Sequence, residues 1–275
     1  MPEDFRGLAR QQISKYKTTK IKNATVLSVQ NKGNYFHVED DQEGVATSRK
    51  LILGTGLKDI LPGTPGIQEA WANGIYWCPW CDGYEHRDQP FGILGNLSDV
   101  MGSVLEVWTL NQDIVAFVNG THTPEEEAKL TERHPNWRAQ LEEYNVPLDN
   151  RTIVSIDRIQ NGGEVNNPEE HKEYDIFQIH FDHGKSMIRN AFITNFPAVQ
   201  RSSIPTELGL QMTDEKIHVT TASMRTSMDG VFAVGDCNDD NSTNVPHAMF
   251  SAKRAVVFLH GELNNLDHAI LRCFG

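Results

Sequence analysis

An α/β fold is predicted for this chain by three observations. Strand-like and helix-like segments alternate along its 275 residues. Glycine-bearing turns follow an apolar strand twice, at Gly54-Thr55-Gly56 and at Gly95-Asn96-Leu97. A compact dithiol, Cys78-Pro79-Trp80-Cys81, lies between the two turns. The length suits one large domain or two modest ones.

Residues 3–17 place Phe5, Leu8, Ala9, Ile13 and Tyr16 on one face of a helix. Strands are expected over 24–29, 35–38 and 51–53. The span 54–66 holds Gly54, Gly56, Gly63 and Gly66 with Pro62 and Pro65, which marks a connector. A second α/β stretch opens at Phe91-Gly92-Ile93-Leu94-Gly95, with a helix over 98–110 and a strand over 114–118. Thr123-Pro124-Glu125-Glu126 is a helix start, and the pattern runs to 144. Strands are expected over 151–159, 176–181 and 192–194, with a polar loop at 161–173. The end reads as a strand over 231–234, an acidic loop over 236–244 and a helix over 246–263.

Composition narrows the function. Apolar residues make up 39% and charged residues 23%, as in a globular chain. A net charge of −12 repels nucleic acid and anionic membranes, so neither is expected as a partner. The residues after Met1 lack the apolar core of a signal peptide, and Val256-Val257-Phe258-Leu259 is too short to span a bilayer. A cytoplasmic, reducing location is expected. There a Cys-x-x-Cys is catalytic or metal-binding rather than structural.

Thiol–disulfide exchange needs one thiolate to attack and a second thiol to resolve the mixed disulfide. Pro79 suits the first position of a helix, where its missing N–H costs nothing. Cys78 would then face free backbone N–H groups that favour a thiolate. Asp82 can protonate the departing thiolate if Tyr76, Trp77 and Trp80 shield it and raise its pKa. Otherwise it is a first-turn carboxylate that favours the helix dipole. A zinc site needs four ligands, and only His86 stands near, so no metal is assigned. Cys237 and Cys273 are isolated and read as small buried hydrophobes. His86 and His247 are proton-transfer candidates because of their neighbours, against a plainer role as surface or cap residues.

Neither glycine turn is a sound Gly-x-Gly-x-x-Gly fingerprint. After Gly54-Thr55-Gly56, Pro62 prevents the helix that should receive a pyrophosphate, so the turn reads as a crossover. In Gly95-Asn96-Leu97-Ser98-Asp99-Val100 the second glycine is replaced by Leu97, whose side chain should block a pyrophosphate, and Asp99 would repel it. No arginine follows Val118-Asn119-Gly120 to hold a 2′-phosphate.

Taken in order, these motifs resemble the low-molecular-weight thioredoxin reductases (class II pyridine nucleotide–disulfide oxidoreductases), and more closely their fungal gliotoxin-type dithiol oxidases. The resemblance is carried by Leu51-Ile52-Leu53-Gly54-Thr55-Gly56 with Pro62, by Cys78-Pro79-Trp80-Cys81-Asp82-Gly83-Tyr84-Glu85, and by Thr226-Ser227 with Gly230-Val231-Phe232-Ala233-Val234-Gly235-Asp236. The final helix after Asn244-Val245-Pro246-His247 also fits.

The resemblance implies a split Rossmann-like FAD domain (1–66 and 195–275) around an inserted, degenerate NAD(P)-type α/β domain (67–194) that carries the redox disulfide. It implies that Cys81 faces the flavin, that Cys78 exchanges with substrate, and that Asp82 is the acid. Gly54, Gly235, Asp236, His247 and Ala248 would bind FAD. The family's flavin pyrophosphate fingerprint and its first strand precede the point at which this chain aligns, and Met249, Phe250, Ser251 and Lys253 stand where the family uses small residues. The poor second nucleotide site disfavours NADPH. It favours oxidation of a small-molecule dithiol, with oxygen reoxidising the flavin, over reduction of thioredoxin. A homodimer is the family's habit. The alternatives are a flavin-free derivative that serves as partner subunit or scaffold, and a repurposed small-molecule enzyme of a biosynthetic pathway.

Overall fold

The computed structural model describes the backbone of residues 2–273 and the side chains of residues 4–265. The chain forms two compact units, Met1–Lys58 with Val199–Gly275, and Asp59–Ala198. Residues 59–66 and 195–198 therefore go with the insert. Ile60, Leu61, Phe196 and Pro197 line one cavity with Ile67 and Phe117, and this apolar packing holds them there.

The insert is built on a parallel sheet of five strands, in the order Ile75–Tyr76, Ala191–Thr194, Phe91–Leu94, Ile114–Phe117 and Leu148–Asp149. The three central strands are buried along their whole length, as a parallel sheet covered on both faces requires. Side chains alternate between two cores. Phe91 and Ile93 join Val104, Leu130 and Trp137 on one face, and Leu94 and Phe192 join Ile153, Ile156 and Phe177 on the other. The helix Val100–Val107 buries Val100, Met101, Val104 and Val107, one helical stripe. A three-stranded antiparallel sheet, Ile153–Gln160, Ile176–Phe181 and Met187–Arg189, supplies much of the second core. Gly92 is required by close approach, because a Cβ there would lie 2.3 Å from the Phe192 ring. Gly92→Ala is expected to lower stability by about 1–3 kcal/mol, read as a lower urea midpoint at unchanged slope.

The helix expected over 124–144 is two helices, Pro124–Arg133 and Trp137–Glu143. Pro135 breaks it by removing a donor and pushing His134 out of helical geometry, to φ −135° and ψ 78°. The start is as expected, since the Thr123 hydroxyl accepts from the Glu126 N–H at 3.3 Å.

The other unit holds an antiparallel sheet, Val26–Asn31, Phe36–Asp40 and Val45–Ser48, and a parallel pair, Leu51–Leu53 with Val231–Ala233. Val29, Phe36, Leu53, Ile217, Phe232 and Ala255 share its core. The first helix ends at Ile13, and Phe5, Leu8, Ile13 and Tyr16 are exposed. Periodicity correctly groups residues on one face but does not supply a partner for that face. The last helix runs Val245–Cys273, beyond the expected 263. The side chain of Cys273 lies outside the described residues. Among the described residues no helix is long and apolar enough to cross a membrane.

Candidate redox site

Cys78 and Cys81 are disulfide-bonded, with Cα atoms 5.3 Å apart. Between them the helix Pro79–Asp82 makes a single turn, with Cys78 as its N-cap and Pro79 at the first position, as the sequence indicates. The N–H groups of Cys81 and Asp82 both donate to the Cys78 carbonyl, each at 3.2 Å. These two are therefore engaged by backbone, which leaves the Trp80 N–H as the free donor of the turn among the described contacts. Cys81 is exposed and Cys78 half-buried. Trp80 is 79% exposed and Trp77 is 49% exposed and stacked on Trp71, so of the three aromatics expected to shield Asp82 only Tyr76 is buried.

The bridge joins residues with a sequence separation of only 3, so by the chain-entropy argument it stabilises the fold by about 2 kcal/mol. Reduction with dithiothreitol is accordingly expected to lower Tm by no more than about 8 °C, with the fold retained by circular dichroism. The fold does not depend on the bridge, which leaves it free to open and close.

The carboxyl group of Asp82 is half-buried, and its pKa is raised. Burial is the main cause, the negative charges of Glu85 and Glu173 add to it, and His86 opposes them. His86 is buried rather than at the surface. One ring nitrogen, Nδ1, lies 3.2 Å from the Asp82 carbonyl oxygen, and the other, Nε2, lies 3.1 Å from Asp175 Oδ2. Asp175 is fully buried, and its Oδ1 accepts from Arg158 Nε at 2.8 Å and from the Gly162 N–H at 2.9 Å. Burial alone would lift the Asp175 pKa, but His86, Gly162 and Arg158 outweigh it and hold the carboxyl below the usual carboxylate range. His86, Glu173 and Asp175 offer ligand atoms within 4.8 Å of one another. The Arg158 guanidinium already sits on Asp175, so the cluster is an ion-pair network rather than a cation cradle. Sequence reading missed Asp175 and Arg158. Arg158, a cation inside the strand Ile153–Gln160, is no local signal of that pairing.

In the other unit, Gly54, Gly235, Asp236, His247 and Ala248 gather at the carboxyl ends of the parallel pair, where α/β sheets bind ligands. A Cβ on Gly54 would lie 3.7 Å from Val234, and one on Gly235 would lie 3.5 Å from Ala248. Gly235 has φ +70°, and its N–H donates to Ser251 Oγ at 3.0 Å. His247 Nε2 lies 3.0 Å from Asp240 Oδ1, and the His247 N–H donates to Asn244 Oδ1 at 2.8 Å. The buried Thr55 hydroxyl has no partner. Met249 and Phe250 are exposed. These groups suit a polyol chain and a ring. The sequence supplies no Gly-x-Gly-x-x-Gly cradle for a pyrophosphate.

The second glycine turn, in the insert, differs from the expectation at Leu97. Leu97 points into the core, fully buried, and does not block the turn. Three of the turn's N–H groups are taken: Gly95 donates to Phe117 O, Leu97 to Thr121 Oγ1 at 3.0 Å, and Asp99 to Asn96 O. The Glu126 carboxylate faces Ser98, and its pKa is lowered by Lys129 and then by Ser98. An internal anion therefore stands beside the turn. Beside the turn lies a cavity of about 250 Å³ lined by Leu61, Ile67, Asn96, Phe117, Asn195 and Phe196 among others, with no charged side chain.

The fold is that of known thioredoxin reductases. The crystal structure of TrxB from Bacillus anthracis, described as a putative thioredoxin reductase, matches 97% of this chain and 82% of its own with a TM-score of 0.81, at 18% identity. In sequence, a protein of Arthroderma benhamiae named probable thioredoxin reductase is 50% identical over 272 residues, which is 95% of this chain and 67% of that one. The chain belongs to the thioredoxin reductase family. Thioredoxin reductase tcpT of Claviceps purpurea is 25% identical over 264 residues, 91% of this chain and 74% of that protein. No family model matches the chain. Membership agrees with the motifs around Cys78 and Asp236.

Proposed function

We propose that this thioredoxin reductase family member is a flavin-linked dithiol/disulfide oxidoreductase that oxidises a small-molecule dithiol at Cys78–Cys81. The observation that carries the reading is an accessible disulfide followed directly by Asp82, a carboxylic acid whose pKa is raised by burial. A substrate thiolate attacks Cys78 Sγ, the Cys78–Cys81 bond breaks, and Cys81 leaves and takes the Asp82 proton. The second substrate thiolate then attacks the substrate sulfur of the mixed disulfide and releases Cys78. The products are a substrate disulfide and a reduced pair that holds two electrons. Gly54, Gly235, Asp236, His247 and Ala248 would hold FAD, which when bound would accept those electrons and pass them to oxygen.

The electron source is the dithiol and not NADPH, a reading supported by the engaged N–H groups of Gly95, Leu97 and Asp99 and by the Glu126 carboxylate beside the turn. Thioredoxin, which such an enzyme reduces at the expense of NADPH, is disfavoured for the same reason. A reducing cytoplasm suits a pair that must open and close.

Asp82 holds its proton above the usual carboxylate range, so acid assistance fades only as pH rises through that raised value. Asp82→Asn is expected to remove this limb and slow disulfide opening by about 10²–10⁴. The deciding experiment is a visible spectrum of the purified chain after incubation with FAD and desalting, then with dithiothreitol under air. Flavin absorbance that bleaches with dithiol and returns with oxygen is expected. A colourless protein that leaves dithiothreitol unoxidised refutes the proposal.

A further inference from the structure

We propose that His86 is a positioning residue for the dithiol, whose ring ties the carbonyl of Asp82, at the end of the redox turn, to the buried Asp175–Arg158 pair. The proposal rests on the exchange chemistry above and adds a part that the chemistry does not require. A helix of one turn cannot satisfy its last carbonyl groups within itself, and the Asp82 carbonyl finds the His86 ring instead. The two ring nitrogens face two groups that can only accept, a peptide carbonyl and an ionised carboxylate. Geometry of that kind calls for a proton on each nitrogen, so the ring acts as a doubly donating cation.

The groups packed around the ring come from four places in the insert. The redox turn contributes Asp82 and the short helical turn Tyr84–His86 after it contributes Glu85, the segment Lys172–Glu173 contributes Glu173, and Asp175 follows it. Arg158 comes from the strand Ile153–Gln160, and the Tyr76 ring stands 5.5 Å away. Burial and the two glutamates push Asp82 toward its neutral form. The cation opposes them and lets Asp82 give up its proton at lower pH than it otherwise would. His86 thus orients the turn and sets how readily the acid donates.

The test uses the oxidised full chain and dithiothreitol, with the rate of disulfide opening divided by the thiolate fraction of the reagent and followed across pH. His86→Gln keeps an amide donor for the Asp82 carbonyl but removes the charge. Its descending limb is expected at higher pH than wild type. Where the wild-type rate has fallen tenfold, the variant should have fallen only about threefold, and its plateau should be several-fold lower. A lower plateau with an unmoved limb would mean a merely structural histidine and overturns the proposal. Should the variant fail to fold, nitrogen-15 shifts of the wild-type ring decide: two N–H signals across the limb are expected, and one neutral tautomer throughout overturns it. Asp82→Asn separates the two claims. If it retains the wild-type limb, the acid role of Asp82 fails first. If it loses the limb and His86→Gln does not move it, only the role of His86 fails.

Discussion

Asp175→Ala is expected to cost about 3–5 kcal/mol and to leave the insert largely unfolded at 37 °C. The carboxylate is fully buried and accepts from three separate segments, His86, Arg158 and the Gly162 N–H. Deleting it removes at once the carboxylate partner of a guanidinium, an imidazole and a backbone donor, and leaves Arg158 only its bond to Asn73 and His86 only the Asp82 carbonyl. Asp175→Asn should cost less, since the amide oxygen still accepts from Arg158 and Gly162. The same carboxylate shapes the acid limb of stability. Its native pKa lies below the ordinary value of 3.8, so its contribution is complete above 3.8 and disappears as pH falls from there through the depressed native value. Urea titrations of wild type and Asp175→Asn at neutral pH and near pH 3 should converge as the medium becomes acidic. A gap that stays constant with pH would show that the carboxylate charge is not what holds the network.

This network also shows where the sequence stopped being readable. Pro79 between two cysteines names a helix start by a local rule, and the structure obeys it. The strands at 51–53, 91–94 and 176–181 were legible because apolar runs of that length have few other uses. Pro135 also announces its break by a local rule, but the apolar period of the flanking residues hid it. Long-range polar pairing is different in kind. Asp175 meets His86 across 89 positions and Arg158 across 17, and no local pattern encodes that meeting. Leu97 fails for a related reason. Its residue type was read as a steric block, whereas burial turned it inward and left Thr121 and Glu126 as the side chains that meet the turn. In the other unit the motifs proposed five residues at the carboxyl ends of the parallel pair, and the partnerless Thr55 hydroxyl and the Ser251 contact beside them follow no local pattern.

Cys78→Ser and Cys81→Ser are each expected to abolish dithiol oxidation, by about 10³-fold or more, because a hydroxyl neither attacks a disulfide nor leaves as an anion at neutral pH. The bridge contributes only about 2 kcal/mol, so both variants should stay folded, and lost activity would not be lost structure. Cys237→Ser is the matched control. That thiol is fully buried and sits 3.2 Å from the Val234 carbonyl in the other unit, so its removal should leave exchange intact. The two site variants differ in what remains. If Cys78 is the exchanging sulfur, Cys81→Ser challenged with the disulfide of a monothiol, such as 2-hydroxyethyl disulfide, should hold a mixed disulfide at Cys78, visible by mass, because neither the protein nor the bound half of the reagent then offers a second thiol to resolve it. The exposure of Cys81 makes the opposite assignment a real physical alternative, and an adduct that accumulates faster on Cys78→Ser would establish it. Activity that survives loss of either sulfur would instead support a scaffold or a repurposed enzyme, because no dithiol chemistry can proceed on one thiol.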